Sequence, residues 1–393
     1  MRVLWFTWRD RRHPLAGGAE TVNEQLARRL VADGHEVTFL VGGFRGAPRE
    51  ELVESDQGRA FRVIRAGGTY TVYPAACVHY LRHLRRWPDL VIDECNTMPF
   101  FAGWYTGRPT ILLFYMLCRR IWFHQFRQPF SSIGWLLEML YLRLLKRSPV
   151  VAGSGSTKRD LMRHGFRSDD VHVMPLAVEL EPVAELAAAE KFPVPTLLSL
   201  GAMRSMKRTL DQVRAFELAK GRLPDLQLVI AGDDSAPYGQ QVRRCVEHSH
   251  HRADIRVLGR IGVAEKVALM RRAHLLLVTS VKEGWGLVVT EAATQGTPSV
   301  VYDVDGLRDS VRNGQTGIVC GSESPAALAD GVVDLLTDRE RYERLRRAAW
   351  EWSRTFTFEQ SYSVLSSVIA GLPAPDAAGA RAAPERRQPP ETS

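Results

Sequence analysis

The 393 residues carry 52 lysines and arginines against 44 aspartates and glutamates, a formal charge of +8, and 45% of them are hydrophobic. A chain of this length buries more than one core, because single cores stop growing at about 250–300 residues. The basic residues are dispersed along the chain, so the surplus charge points to a small anionic ligand and does not call for nucleic acid. The five cysteines, Cys77, Cys95, Cys118, Cys245 and Cys320, stand far apart with no zinc-site or dithiol spacing, which fits a reducing cytoplasm.

The start, "MRVLWFTWRD", has one basic residue ahead of a short apolar run and no small-residue cleavage site. The expectation is a first strand and not an export signal. "RVLWFTW", "EVTFLVGG", "FRVIRAG", "DLVIDE", "PTILLFYM", "PVVAGSG" and "VHVMPL" follow as strand candidates. Several are apolar nearly throughout, the pattern of strands covered on both faces of a parallel sheet. Between the first two lies "AETVNEQLARRLVADG", with Val22, Leu26 and Leu30 at helical spacing and Gly34 placed to close the helix.

No apolar run reaches the roughly 20 residues that a spanning helix needs. "SSIGWLLEMLYLRLLKR", Ser131 to Arg147, comes nearest but is interrupted by Glu138 and Arg143. Two readings stay open for it, a helix packed inside the first domain and one lying on a membrane surface. The chain is therefore expected in the cytoplasm, with peripheral membrane contact an open possibility.

"VELEPVAELAAAEKFPVP", Val178 to Pro195, has three prolines and few large apolar residues, as a crossing between domains does. The alternation then resumes with strand candidates "TLLSLGA", "LQLVIAGD", "IRVLGR", "HLLLVTS", "PSVVYDV" and "GIVC" between helical segments. The fold class is α/β, two doubly wound Rossmann-like domains facing a cleft. The expected divisions are 1–178 for a first domain and 179–356 for a second. A helix at 357–371 is expected to pack back on the first domain, and a Pro-, Ala- and Arg-rich tail at 372–393 has little to bury.

The most informative stretch is "SVKEGWGLVVTEAATQG", in which Glu283 and Glu291 are separated by seven residues. "HLLLVTS" reads as a strand and "GLVVTEAATQG" as a helix, so Glu283 falls in the turn at the carboxyl end of the strand, where open α/β sheets bind ligands. Glu291 lies inside the helix, about 7 Å along its axis. Between them the helix start offers backbone N–H groups, with Gly284 and Gly286 permitting close approach, a seat for phosphate or sugar hydroxyls. An elongated ligand with a central diphosphate and vicinal hydroxyls at both ends fits this spacing, since a carboxylate accepts two hydrogen bonds. A nucleotide sugar has that shape, with Glu291 reading the ribose and Glu283 the sugar. The plainer reading, a solvated helix glutamate and a loop charge, is equally open on spacing alone.

Together "EGWGLVVTE", "GGAETVNEQLARRLVADGHEVTFLV" and "GTPSVVYDVDGLRDSVRNGQTGIV" resemble the family 4, or group 1, retaining glycosyltransferases of GT-B architecture, over about residues 1–370. The resemblance implies that the first glutamate faces the donor sugar and the second binds the ribose. It also implies a donor-binding set of Gly17, Gly18, Gly284, Trp285, Gly286, Leu287 and Glu291. Gly17 and Gly18 sit in a second strand-to-helix turn, "RDRRHPLAGGAE", whose family counterpart approaches the donor phosphate and acceptor. Arg9, Arg11, Arg12 and His13 in the same turn are available to an acidic acceptor. Lys207, six residues after Gly201, stands where the family has the lysine that binds the diphosphate, and a cation there stabilises the leaving group. Lys207, Arg204 and Glu283 form the candidate catalytic set.

The chain departs from the family pattern at two points. Ala202 replaces an arginine that often follows the glycine, leaving Arg204, or else Arg208, as the substitute. Tyr115 stands where related sequences often carry a histidine, and a tyrosine does not titrate near neutrality. Asp303 is a further donor-side candidate. The "DVD" and "GDDS" acidic patterns are too short to argue a metal, and the resemblance implies no obligatory metal or other cofactor, only a nucleotide diphosphate sugar as co-substrate. "GSGSTK" is not a phosphate-binding loop; Ser156 or Thr157 is expected to cap the following helix.

The implied reaction is retaining transfer of a hexose, UDP-hexose being the first donor and GDP-mannose the second, to a glycan, glycolipid or small-molecule acceptor. The rival of another class is a sugar-nucleotide-binding protein without catalysis, motivated by Ala202 and Tyr115.

Overall fold

A computed structural model describes residues 1–55, 58–188 and 190–372. It contains two sheets. The first has eight strands: β1 (Arg2–Phe6), β2 (Glu36–Val41), β3 (Glu50–Glu54), β4 (Ala60–Arg65), β5 (Leu90–Cys95), β6 (Thr110–Phe114), β7 (Val150–Ala152) and β8 (Val171–Val173). Their order is β3-β4-β2-β1-β5-β6-β7-β8, parallel throughout except for β3, which runs antiparallel to β4. The second has six: β9 (Thr196–Leu200), β10 (Gln227–Ala231), β11 (Ile255–Gly259), β12 (Leu275–Val278), β13 (Ser299–Val301) and β14 (Gly317–Val319). Their order is β11-β10-β9-β12-β13-β14, all parallel.

The apolar strand runs are explained by burial on both faces. In β1, Val3 and Trp5 join one hydrophobic cluster, while Leu4 and Phe6 join another on the opposite side of the sheet. The edge strand β3, "EELVE", was not among the sequence candidates. Its alternating exposure needs only one apolar face, and its glutamates are the charges that guard an edge.

The helix Gly18–Ala32 buries Val22, Leu26 and Leu30 and is closed by Gly34, which adopts a left-handed φ of 86°. The helix Gly155–Arg163 begins one residue earlier than Ser156. Its N-cap is therefore Ser154, whose hydroxyl accepts from the Thr157 amide, and neither Ser156 nor Thr157. The crossing segment is held to the second domain by Lys191, whose buried Nζ donates to the carbonyls of Arg271, Ala273 and Gly296 and to the Thr297 hydroxyl. The helix Phe358–Ala370 returns to the first domain. There Leu365, Val368 and Ile369 are buried, and Tyr362 donates to Asp33. Of the tail, 373–393 lies outside the described residues.

The domains meet along the carboxyl ends of both sheets. Trp285, from the second domain, is buried in the first domain's main cluster and meets Phe356 edge to face, a burial worth on the order of 3 kcal/mol. Buried Lys282 bridges Asp160 of the first domain, at 2.5 Å, and Asp305 of the second, at 2.7 Å. Asp309 receives the Ser156 amide, placing a carboxylate at the start of the Gly155–Arg163 helix across the interface. All five cysteines are free thiols, and no helix among the described residues is long and apolar enough to cross a membrane.

Candidate active site

The site is built where the β12 turn faces the β1 turn. After β12 the chain runs through Ser280 and Glu283 to Gly286, which caps the Leu287–Thr294 helix with a φ of 88°. That conformation is costly for any residue with a side chain. A Cβ on Gly18 would lie 2.2 Å from Leu287 Cδ1, and one on Gly284 would lie 2.8 Å from the Tyr115 carbonyl oxygen. The two glycine turns therefore converge across the domain boundary. Gly17 N–H is itself held by the Glu20 carboxylate at 2.8 Å. A Cβ on Gly306 would run into the Glu283 carbonyl at 2.4 Å, so the loop after β13 can support the Glu283 turn only with glycine there. Among the described residues, the amides of Gly284, Trp285, Gly286 and Leu287 donate to no protein acceptor, which leaves four donors at a positive helix end.

Lys207 and Glu283 are partners, with Nζ 2.5 Å from Oε1. Ser280 Oγ donates to the same oxygen at 2.6 Å. Oε2 of Glu283 has no hydrogen-bond partner among the described residues and is free to accept from a ligand hydroxyl. Glu291, just over one turn into the Leu287–Thr294 helix, pairs through Oε2 with Lys266 at 2.6 Å and likewise keeps its other oxygen unengaged. Each glutamate is thus charge-compensated and still able to accept.

Arg204 is exposed and makes no ion pair among the described residues. It lies within electrostatic reach of Arg9 of the first domain, which stacks on Trp8 with 3.6 Å to the ring centroid and whose Nε is buried without a partner. Burial, seconded by the positive Arg204, holds the Arg9 guanidinium below its usual pKa despite Glu20 nearby. Two guanidiniums that repel one another are an arrangement that an anion relieves.

The other sequence candidates are placed differently. Trp285 turns its ring into the first domain's core and gives its indole N–H to Thr290, so only its backbone faces the turn. Leu287 packs against the same cluster. Arg208, at a left-handed φ of 50°, reaches Glu323 at 2.6 Å and Tyr302's ring, away from Glu283. Asp303 is exposed and binds Arg308. Arg11 and Arg12 are paired with Glu179 and Glu51, and His13 lies against Phe44, which leaves Arg9, whose Nη1 donates to the Leu15 carbonyl, as the arginine of that turn without an ion pair among the described residues. Tyr115 is buried, donates to Asn23 Oδ1 at 2.6 Å, and is pushed well above its ordinary pKa by burial.

Sequence reading did not find Glu94. At the carboxyl end of β5, beside β1, it accepts from Asn23 Nδ2 at 2.6 Å. "DLVIDE" reads only as a strand, and nothing local marks its last residue as buried. Ser280 and Lys266 were also missed. Ser280 was detectable in principle by its three-residue spacing from Glu283, while Lys266 comes from a distant helix and left no signal. Among the described residues no cluster of three or more metal-ligating side chains occurs.

Burial pushes the Glu94 carboxyl up to about 8 from its ordinary 4.5. The folded protein therefore holds this proton across a window in which the unfolded chain has released it, and stability falls as pH rises from about 4.5 to 8. Burial raises Asp93 to about 6, with the same sign. Glu94→Gln keeps the shape without the charge. It is expected to stabilise the protein by about 2 kcal/mol or more at pH 8, with the gain vanishing toward pH 4.5; melting curves across that range check the slope.

Residues 16–182 match the family described as Glycosyltransferase Family 4, and residues 186–352 the one described as Glycosyl transferases group 1. The chain is 33% identical over 173 residues to a D-inositol 3-phosphate glycosyltransferase of Corynebacterium glutamicum, covering 43% of this chain and 41% of that one. It is 38% identical over 136 residues to a phosphatidyl-myo-inositol mannosyltransferase of Mycobacterium leprae, covering 32% and 35%. The chain thus spans about two fifths of the length of the curated relatives it matches. HepE of Anabaena, solved in complex with UDP and glucose, superposes with a TM-score of 0.70 at 15% identity over 95% of this chain and all of the other, a likeness of fold. With one match on each side of the crossing segment, and two doubly wound domains meeting at the glycine turns, the chain belongs to the family 4, group 1 glycosyltransferases and has the GT-B fold.

Proposed function

We propose that the protein transfers a hexose from a nucleoside diphosphate sugar, UDP-hexose first, to an acceptor hydroxyl with retention of anomeric configuration. The observation that carries this reading is the Lys207–Glu283 pair standing beside the unengaged amides of Gly284 to Leu287, with Arg9 and Arg204 within electrostatic reach of one another. The diphosphate lies on those amides between Lys207 and Arg204, the ribose meets Glu291, and the sugar meets the open oxygen of Glu283. As the bond from the anomeric carbon to the phosphate oxygen breaks, the acceptor oxygen bonds to that carbon. The acceptor proton passes to the departing phosphate oxygen, so no separate base is required. The positive groups and amides stabilise the charge that grows on the diphosphate. Tyr115, buried and bonded to Asn23, takes no part in proton transfer. The reaction is assigned to the cytoplasmic side.

GDP-mannose is the second donor, favoured by the identity shared with a mannosyltransferase over part of the chain. The test is release of nucleoside diphosphate from a panel of UDP- and GDP-sugars, first with water and then with candidate acceptors, the product anomer being read by NMR. Release from one donor with a retained anomer is the expected result. Tight donor binding without any release would establish instead a sugar-nucleotide-binding protein, and an inverted product would overturn the mechanism.

A further inference from the structure

The helix Phe130–Leu145 has two apolar sides, and the fold covers one. Gly134, Glu138, Tyr141, Leu142 and Leu145 are buried, Gly134 so closely that a Cβ would meet the Trp122 ring at 2.3 Å. On the other side Phe130, Ile133, Leu136, Leu137, Leu140 and Leu144 are 47–67% exposed. At 3.6 residues per turn these six fall within an arc of about 120°. Phe123, on the preceding helix Ile121–Gln125, is 50% exposed. An apolar surface of this extent on a water-facing helix marks an interaction site.

Charge identifies the occupant. From 116 to 149 the sequence has six lysines and arginines against one acid, Glu138. That carboxylate is turned inward, where it accepts from the Cys118 and Arg119 amides and the Trp122 indole. Arg120, Arg127, Arg143, Lys146 and Arg147 are exposed, and none forms an ion pair among the described residues. A second copy would bring the same uncompensated positive rim against itself in a two-fold contact. The sequence at 373–393 has three acids balanced by three arginines and no large apolar residue to offer. An anionic bilayer supplies both complements: phosphates for the guanidiniums and an acyl region for the leucines.

The surface also adjoins the cleft. Ser205 Oγ donates to the His124 carbonyl at 2.9 Å, and Met206 packs with Cys118 and Ile121, so the segment preceding the helix touches the turn that carries Arg204 and Lys207. We propose that residues 123–147 are a docking surface for an anionic lipid bilayer, on which the helix lies in the plane of the headgroups and holds the cleft at the membrane. The acceptor is then lipid-borne, a consequence that rests on the transferase reading, whereas the docking does not.

The test is co-sedimentation of the full chain with vesicles of phosphatidylcholine alone and with added phosphatidylglycerol. Partitioning is expected only with the anionic vesicles and is expected to weaken in high salt. Two variants are compared, Leu136→Ser/Leu137→Ser/Leu140→Ser and Arg143→Gln/Lys146→Gln/Arg147→Gln. Each is expected to lose partitioning by on the order of a hundredfold. Both should keep the wild-type thermal shift with nucleotide sugars, which shows that they fold and separates this proposal from the donor reading. Absence of vesicle binding by the wild type, or unchanged binding by the leucine variant, overturns it. So does a wild-type dimer that the leucine variant abolishes while vesicles remain unbound.

Discussion

Replacing Lys207 with alanine is expected to lower turnover by about a hundred- to a thousandfold, the range for removing one preorganised group that meets developing charge. The lysine is held in place before the donor arrives, since Glu283 accepts from it at 2.5 Å and Ser280 fixes the same carboxylate oxygen. Its side chain is 31% exposed, so losing the pair alters folding stability by no more than about 1 kcal/mol. Catalysis and stability are therefore separable: turnover collapses while the melting temperature stays within a few degrees. Lys207→Arg keeps the charge and is expected to recover part of the rate. A folded Lys207→Ala protein with wild-type turnover would remove Lys207 from the mechanism.

Lys282→Ala is expected to act on stability instead, by about 3 kcal/mol. Its ammonium lies between Asp160 and Asp305 with only 7% of the side chain exposed. Truncating it leaves two carboxylates opposed at the domain interface, compensated only by the more exposed Arg163 and Arg308 on their outer sides. Although burial alone would raise the Asp305 carboxyl, Lys282 together with Arg308 and Arg163 outweighs it and holds the carboxyl below its usual value. That part of the stability is present above the unfolded pKa of Asp305 and is lost as pH falls through the folded one. The triple variant Lys282→Met/Asp160→Asn/Asp305→Asn removes the buried lysine and both of its carboxylates, leaving only their more exposed partners Arg163 and Arg308, and is expected to regain much of the loss, because the buried centre no longer carries the desolvation cost. Urea unfolding of the two variants measures the difference. If the single variant is as stable as the wild type, the bridge contributes nothing to domain closure. Because Lys282 adjoins Glu283, the single variant is also expected to bind donor more weakly.

The strands were legible because covering both faces of a parallel sheet requires runs such as "RVLWF" and "LVIDEC", and those runs are conspicuous. Only β3 escaped, since a polar edge strand looks like a loop. The glycine turns were legible for a similar reason: a strand followed by glycines and a helical pattern has few other conformations. What the sequence did not show is how the turns are supported. Lys266 reaches Glu291 from a helix before β12, Asn23 and Glu94 meet beneath Tyr115 from separate elements, and Asp160 meets Lys282 across the domain boundary. Each pairing depends on distances set by the whole fold, and no local pattern records it. Trp285 divides its side chain from its backbone in a way the motif does not announce. It lies in the middle of the donor motif, yet its ring serves the first domain's core.

The central claim is that the cleft between the glycine turns binds a nucleoside diphosphate sugar with Glu291 on the ribose. The most direct measurement is thermal stabilisation of the protein by UDP-, GDP- and dTDP-sugars, run beside Glu291→Ala. The account predicts that one donor raises the melting temperature of the wild type and that the variant, folded and otherwise unchanged, loses the shift. A folded wild-type protein that responds to none of them, or a Glu291→Ala variant that responds in full, would contradict it.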